Sequence, residues 1–304
     1  MKIVVIGSYN TDMIIRVPRI PRPGETILGG RFLTAAGGKG ANQAVAAARA
    51  GGDVTFIAGI GRDSMGDQAL QGFQQDGIDT SCVYRDEAEP SGAALIFVDE
   101  EGENSIAVAG GANMTLSPAK IRACARIIES ADILVMQLET PLDTIQAAAD
   151  LAHAKQVPVI LNPAPAGQLP DELLGKITIL TPNESETELL TGVDVTGSES
   201  ASEAAAALKD RGVEHIVITM GRRGAFVSSA EMEDMVPGFE VEAADTTAAG
   251  DVFNGALSVA VSEQRPLPEA VRFACAAAAL SVTREGAQPS VPRRNEIESF
   301  LQAH

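Results

Sequence analysis

Asp251 stands alone among small residues in Asp245-Thr246-Thr247-Ala248-Ala249-Gly250-Asp251-Val252-Phe253-Asn254-Gly255-Ala256, with an apolar helical pattern starting near Gly250. Small residues ahead of a helix let consecutive backbone N–H groups converge on one point at the positive end of the helix. A carboxylate at the edge of that anion hole can take a proton from a hydroxyl while the amides hold charge developing on a transferring phosphoryl group. Asp in a first helical turn is equally accounted for as a cap. A second segment, Gly37-Gly38-Lys39-Gly40-Ala41-Asn42-Gln43-Ala44, leads three glycines into an Ala-rich helix. Such glycines let backbone approach a ligand, and the helix start offers N–H groups to anions or hydroxyl oxygens; a tight turn accounts for them as well. This is not a Walker A loop, because Leu33 and Gly40 occupy the positions that motif reserves for Gly and for Ser or Thr.

Positioning such segments takes a scaffold, and its pattern runs nearly end to end. Short apolar runs at 3–7, 54–58, 133–137, 159–162, 177–181, 215–219 and 225–228 read as strands. Ala-rich helical runs fall at 42–50, 64–75, 117–130, 142–155, 184–190, 202–211, 250–262 and 268–283, and a β-rich stretch ends at Asp245. The alternation predicts an α/β, three-layer α-β-α sandwich with a mostly parallel central sheet. Ser117-Pro118 offers an N-cap followed by Pro at the first helical position, and Gly192 and Gly212 sit where helices should stop. Two stretches, 13–36 and 91–110, carry β-formers and turn signals but no helix of any length. They read as hairpins projecting from the sheet. The expectation is one domain over 1–304 with a small β-lid from insertions at about 12–36 and 91–111, whose free edge is also able to pair with a second subunit.

Composition narrows the partners. Lys plus Arg number 23 against 41 Asp plus Glu, a net charge of −18 with no basic run, which argues against nucleic acid. The longest uncharged stretches, around 252–262 and 273–283, are shorter than the roughly 20 residues of a membrane helix, so no membrane partner is expected. Aromatics make up 4% and Trp is absent, so the core should be aliphatic with Ala at close contacts. Cys82, Cys124 and Cys275 are odd in number and widely spaced, which suits reduced thiols and a cytoplasmic location. His153, His215 and His304 suggest neither histidine catalysis nor a metal cluster.

Taken together, the two segments resemble the paired signatures of the ribokinase family of carbohydrate kinases. The resemblance covers essentially the whole chain, through Gln137-Leu138-Glu139, Leu161-Asn162-Pro163-Ala164-Pro165, Thr181-Pro182-Asn183-Glu184-Ser185-Glu186, Ile218-Thr219-Met220-Gly221-Arg222-Arg223-Gly224 and Thr283-Arg284-Glu285-Gly286-Ala287-Gln288-Pro289-Ser290-Val291-Pro292. One departure is that the wider family has Gly-Ala-Gly-Asp at the anion hole, whereas Ala248 fills its first position.

The resemblance implies ATP-dependent phosphorylation of D-ribose at O5, with Asp251 as general base and an anion hole at Ala248, Ala249, Gly250 and Asp251. It implies sugar contacts from Asn10, Asp12, Gly38, Lys39, Asn42 and Glu139. On the nucleotide side it implies Asn183 and Glu186 organising Mg²⁺ and phosphates through water, with Thr219, Gly221, Gly224 and Gly250 along ATP and Cys275 near adenine. A potassium ion is implied among Asp245, Thr247, Ser281, Arg284, Gly286 and Ser290, largely through carbonyl oxygens. A homodimer through the β-lid is implied too. Residue by residue, other accounts exist: Asn10 and Asp12 as turn residues, Glu139 as a solvated carboxylate, Asn183 as a helix cap, Cys275 as core and Asp245 as a strand end.

Three other functions bear comparison. Another sugar or nucleoside kinase of the same fold, acting on deoxyribose, fructose, 2-keto-3-deoxygluconate or adenosine, would share the catalytic segment. A non-catalytic sugar-binding protein is disfavoured by the intact Asp251, Asn183 and Glu186, and a dinucleotide-binding oxidoreductase by the failed glycine spacing at Gly59, Gly61 and Gly66.

Overall fold

Ile3 and Val5 of the first strand, β1 (Lys2–Ile6), enter one apolar core, and Val4 and Ile6 enter another on the opposite face. Burial on both faces is why this strand and its neighbours read as unbroken apolar runs. The computed structural model describes residues 1–28 and 30–304; Gly29, inside the expected 12–36 insertion, lies outside the described residues.

After β1 come β2 (Asn10–Arg16), β3 (Arg31–Gly37), α1 (Lys39–Arg49), β4 (Asp53–Gly61), α2 (Ser64–Gln75), β5 (Asp79–Asp86), β6 (Gly92–Val98) and β7 (Asn104–Ala109). The middle of the chain holds α3 (Pro118–Ala123), α4 (Ala125–Glu129), β8 (Ile133–Met136), α5 (Leu142–Ala154), β9 (Val159–Leu161), α6 (Asp171–Leu174), β10 (Ile179–Leu180), α7 (Glu184–Thr191) and α8 (Ser198–Asp210). It ends with β11 (His215–Thr219), β12 (Gly224–Ser228), β13 (Glu233–Pro237), α9 (Ala249–Ser262), α10 (Leu267–Val282) and α11 (Arg294–Ala303).

The main sheet has nine strands in the order β13-β12-β11-β10-β9-β8-β1-β4-β5, parallel except for the β11–β12 and β12–β13 pairs. Helices α1, α2, α9, α10 and α11 contribute to one core, and α3, α4, α5, α7 and α8 to the other, which bears out the three-layer architecture. Chain order reverses between β1 and β8, and in open α/β sheets such a switch opens a crevice beyond the carboxyl ends of the strands.

Some sequence expectations are corrected. The 13–36 and 91–110 stretches do form antiparallel pairs, β2–β3 and β6–β7, but β2 also pairs with β6 in parallel, joining them into one four-stranded sheet, β3-β2-β6-β7. No strand ends at Asp245; β13 stops at Pro237, and the Ala244 and Asp245 N–H groups both donate to Val282 O instead. The expected 117–130 helix breaks at Cys124, which ends α3 and precedes α4, although Ser117 caps α3 as expected by accepting from the Lys120 N–H. Cys82 and Cys124, distant in sequence, are free, buried thiols with sulfurs 2.6 Å apart.

Packing of α1 on α9 sets up the site. A side chain at Gly255 would place its Cβ 2.5 Å from Ala46 Cβ and 2.6 Å from Gln43 O, so only glycine lets the two helices approach this closely. Gly255 lies one turn beyond Asp251, and Ala46 one turn beyond Asn42, on facing sides of the pair. Close approach there draws the first turns of both helices together.

Candidate active site

Asp251 sits in the first turn of α9 but does not cap it. The N-cap is Ala248, without a side-chain hydrogen bond, and both Asp251 oxygens are engaged from α1. Asn42 Nδ2 donates to Oδ2 and Gln43 Nε2 to Oδ1, each at 3.0 Å. Burial pushes the Asp251 carboxyl above the usual range, opposed by the Lys39 charge and these two hydrogen bonds and reinforced by Glu139. A desolvated carboxylate of raised basicity suits proton abstraction near neutral pH. Ala248 adopts a left-handed backbone, φ 60°, at the position where the sequence departs from the family's glycine. That conformation costs an L residue about 1–2 kcal/mol, strain stored at the anion hole.

A second carboxylate, Glu139, lies close to other expected sugar contacts. Gly38, φ 89°, precedes Lys39, the first residue of α1, whose backbone N–H donates to Glu139 Oε2 at 2.9 Å. The Ser8 hydroxyl donates to the same oxygen, so Glu139 is a fixed acceptor beyond β8, not a solvated carboxylate. Asn10 and Asp12 are strand residues of β2, not turn residues, and register pairs them with Gly37 and Ala35 of β3. Asn113 Nδ2 donates to Asn10 Oδ1 and to Tyr9 O, each at 2.9 Å, which fixes the Asn10 amide with its oxygen toward Asn113.

Burial, then Glu139 and Asp251, raise the Asp12 carboxyl to about 6. Stability from a proton on Asp12 is therefore present below the unfolded value near 3.8 and is lost as pH rises through about 6. Asp12→Asn removes the neutral-pH penalty: its melting temperature should exceed that of the parent by about 2–4 °C at pH 7.5, shrinking toward zero at pH 4.5, with loss of sugar affinity. Equal destabilisation at both pH values in thermal melts would contradict the repulsion between these carboxylates.

On the other side of the α9 start lies a cleft of about 830 Å³, lined among others by Asn183, Thr219, Gly221, Gly224, Gly250 and Cys275. The first turn of α9 thus separates two compartments, with Asp251 toward the carboxylate cluster and Ala249 and Gly250 toward the cleft. Asn183 and Glu186 form a capping box at the start of α7, with Glu186 N to Asn183 Oδ1 at 2.8 Å and Asn183 N to Glu186 Oε2 at 2.9 Å. Burial raises the Glu186 carboxyl. Burial also pushes the Cys275 thiol up to about 12, so it is an inert apolar surface of the cleft.

Asp245 ties two distant segments together. Its Oδ1 accepts from the Thr247 N–H at 2.9 Å and its Oδ2 from the Gly286 N–H at 2.8 Å, and despite its burial these bonds hold it below the usual range. Ser281 and Ser290 are buried nearby along the chain, their hydroxyls donating to Ala278 O and Ala287 O. Arg284 is turned away to Glu296 at 2.5 Å. Among the described residues no group of three or more His, Cys, Asp and Glu side chains is arranged for a metal.

Sequence reasoning did not assign Ser8, Gln43, Asn113, Gln137 or Asn162, all buried polar residues around this crevice. For Gln137 and Asn162 a signal existed: each follows directly on the last residue of an apolar strand, β8 and β9.

A family described as pfkB family carbohydrate kinase matches residues 1–294. Ribokinase of Haemophilus influenzae is 49% identical over 300 residues, covering 99% of this chain and 98% of that protein. A deoxyribokinase of Salmonella typhimurium is 37% identical over 302 residues, covering 99% of each. Among solved structures, Arabidopsis thaliana ribokinase complexed with ribose and ATP matches with a TM-score of 0.93 at 34% identity, covering 99% of this chain and 98% of that one. Since the family match runs through both the Lys39 and the Asp251 segments that build the site, the chain belongs to the pfkB family of carbohydrate kinases.

Proposed function

We propose that this kinase transfers the γ-phosphoryl group of ATP to O5 of D-ribose, giving D-ribose 5-phosphate and ADP. The observation that carries the proposal is Asp251: a buried carboxylate held by Asn42 and Gln43 at a helix start that borders both a polar crevice and a long cleft. A pentose in the crevice meets acceptors from Asp12 and Glu139 and donors from Asn10, Lys39 and Asn42, with the Gly38 backbone close by. Asp251 takes the proton from the primary hydroxyl as that oxygen attacks, and the amides of 248–251 meet the charge on the transferring group. ATP lies along Thr219, Gly221, Gly224 and Gly250, with Cys275 beside the base. The 49% identity to the Haemophilus influenzae ribokinase, against 37% to the deoxyribokinase, supports ribose as the substrate.

The residues fit the ions such a reaction uses. Burial raises both the Glu186 and the Asp251 carboxyls, and the Asp251 charge adds to the rise at Glu186, a charge pattern that a divalent cation beside the phosphates relieves. Asn183 and Glu186 would hold Mg²⁺ there through water, and the ion would supply positive charge against the phosphates. Asp245 joins the 245–247 and 284–290 segments through the Thr247 and Gly286 N–H groups, and backbone carbonyls of Asp245, Thr247, Ser281, Arg284, Gly286 and Ser290 would suit potassium, which would steady the 245–251 loop.

The four-stranded sheet acts as a lid of a single domain, since Asn10 and Asp12 lie on it. Phe32, Leu95, Ile106 and Val108 are all more than half exposed on its strands, which supports a homodimer joined lid to lid. A cytoplasmic location belongs to the same proposal, supported by three free thiols and by no described helix being long and apolar enough to cross a membrane.

A coupled ADP-release assay over ribose, deoxyribose, fructose, 2-keto-3-deoxygluconate and adenosine, with and without potassium, tests it. The highest kcat/KM should belong to ribose, and omission of potassium should lower turnover. No turnover on ribose alongside turnover on another substrate would overturn the assignment, and a monomer by light scattering of the same preparation would overturn the dimer.

A further inference from the structure

Beneath Asp251 lies a cluster of buried amides that the proposed reaction does not yet use. Gln43 and Gln137 have no exposed surface, and Asn162 is buried. Buried amides in an Ala-rich core carry a cost that aliphatic side chains would not, roughly 1–3 kcal/mol for each polar group left unpaired. Their bonds form a directed chain. Asn162 Nδ2 donates to the Thr181 backbone carbonyl at 3.1 Å, and a carbonyl only accepts, so Asn162 must turn Oδ1 toward Gln43. Gln43 Nε2 donates to that oxygen at 3.2 Å, and Gln137 Nε2 donates to Gln43 Oε1 at 2.6 Å. The Asn162 contact fixes the Gln43 amide in one orientation, and Gln137, whose own Oε1 has no partner, follows it. Its remaining N–H is thereby aimed at Asp251 Oδ1.

We propose that Gln43, with its polarity set by Asn162, is a positioning residue that holds the Asp251 carboxylate in the rotamer and protonation state that accept the sugar proton. This rests on Asp251 being the base of the phosphoryl transfer proposed above. The relay is anchored to main chain at Thr181, whose hydroxyl donates to Asn254 Oδ1 at 2.6 Å, and Asn254 in turn donates to Gly250 O at 2.8 Å. Backbone of the anion-hole loop and the side chain of the base are therefore registered by one network. Around Asp251 the charged groups are Lys39 at the start of α1, Asp12 on β2, Glu139 beyond β8 and Glu186 on α7. Only Lys39 favours the ionised form by charge. The Gln43 and Asn42 donors supply the rest of the opposition to burial.

Gln43→Met keeps the volume and removes the donor. Measured beside the parent, it should lower kcat by about 10²-fold with KM for ATP unchanged. The acid limb of the kcat/KM profile should move up by about one pH unit, because a lost hydrogen bond to the charged form raises its pKa. Asn162→Ala, which leaves Gln43 in place but frees its orientation, should shift the same limb in the same direction by less. It decides the question if Gln43→Met does not fold. ¹³C NMR of labelled aspartate carboxyls reads the Asp251 titration without turnover, the resonance being the one missing from Asp251→Asn. An upward shift in either variant supports the relay. A lowered melting temperature with kcat within threefold, an unmoved acid limb and an unmoved Asp251 titration would overturn it, whereas a parent that fails to phosphorylate any sugar counts against the proposed reaction instead.

Discussion

Asp251→Asn is expected to lower kcat on ribose by about 10³- to 10⁴-fold while the affinity for an ATP analogue stays within a few-fold of the parent. The separation follows from the geometry. Asp251 faces the carboxylate cluster, whereas the cleft on the other side of α9 is lined by Ala249, Gly250 and Phe253 and keeps its shape. An amide at this position accepts a proton far too weakly to serve as base. It also meets two donors, Asn42 Nδ2 and Gln43 Nε2, with only one acceptor oxygen. That mismatch costs about 1–3 kcal/mol and is offset by no longer burying a charge, so the melting temperature should move little. Steady-state kinetics with equilibrium binding of the ATP analogue checks this, and near-parental kcat would remove Asp251 from the chemistry.

Gly38→Ala should raise KM for ribose by about 100-fold or more and destabilise the fold by about 2–3 kcal/mol, again with ATP-analogue binding preserved. Gly38 has φ 89° and ψ 130°, a conformation closed to alanine. An added Cβ would lie 2.7 Å from Asn10 N and 2.8 Å from Tyr9 Cα, both backbone atoms with no rotamer to escape into. Relief requires the loop to move away from β2, which takes the Lys39 N–H away from Glu139 and Asn42 away from Asp251. Sugar KM and denaturant unfolding measured together separate this from a general loss of stability; a KM within threefold of the parent would show that the loop is not held against Asn10.

These two residues also show what could be read in the chain before its folding. Asp251 and the glycines around Lys39 are local signals: small residues, then a helix, each legible within a dozen positions. The parallel sheet was legible for the same reason, through apolar runs alternating with Ala-rich ones. Elements without that contrast were not. β5, Asp-Thr-Ser-Cys-Val-Tyr-Arg-Asp, is an edge strand with little apolar content, and β13 is an antiparallel edge with Glu and Asp at its start. The start of α1 lies at Lys39, three residues before the expected position, because Gly40 is a poor helix former by propensity and is kept there by its contact with Ser8 and Gly7. The amide relay was invisible for a different reason. Gln43 and Asp251 are separated by 208 positions and Gln43 and Gln137 by 94, so nothing in either neighbourhood announces the partner. Asn183 shows the reverse case: its capping role was legible and is present, and the same side chain borders the cleft, so the two accounts do not compete.

The central claim is that Asp251 directs phosphoryl transfer to the primary hydroxyl of a pentose bound beside it. ³¹P NMR of the products formed from ATP and ribose measures this directly. The expected result is ADP plus a single phosphomonoester whose phosphorus couples to the two protons on C5, formed by the parent and nearly absent with Asp251→Asn. A phosphoester at another carbon, or ADP with inorganic phosphate alone, would contradict it.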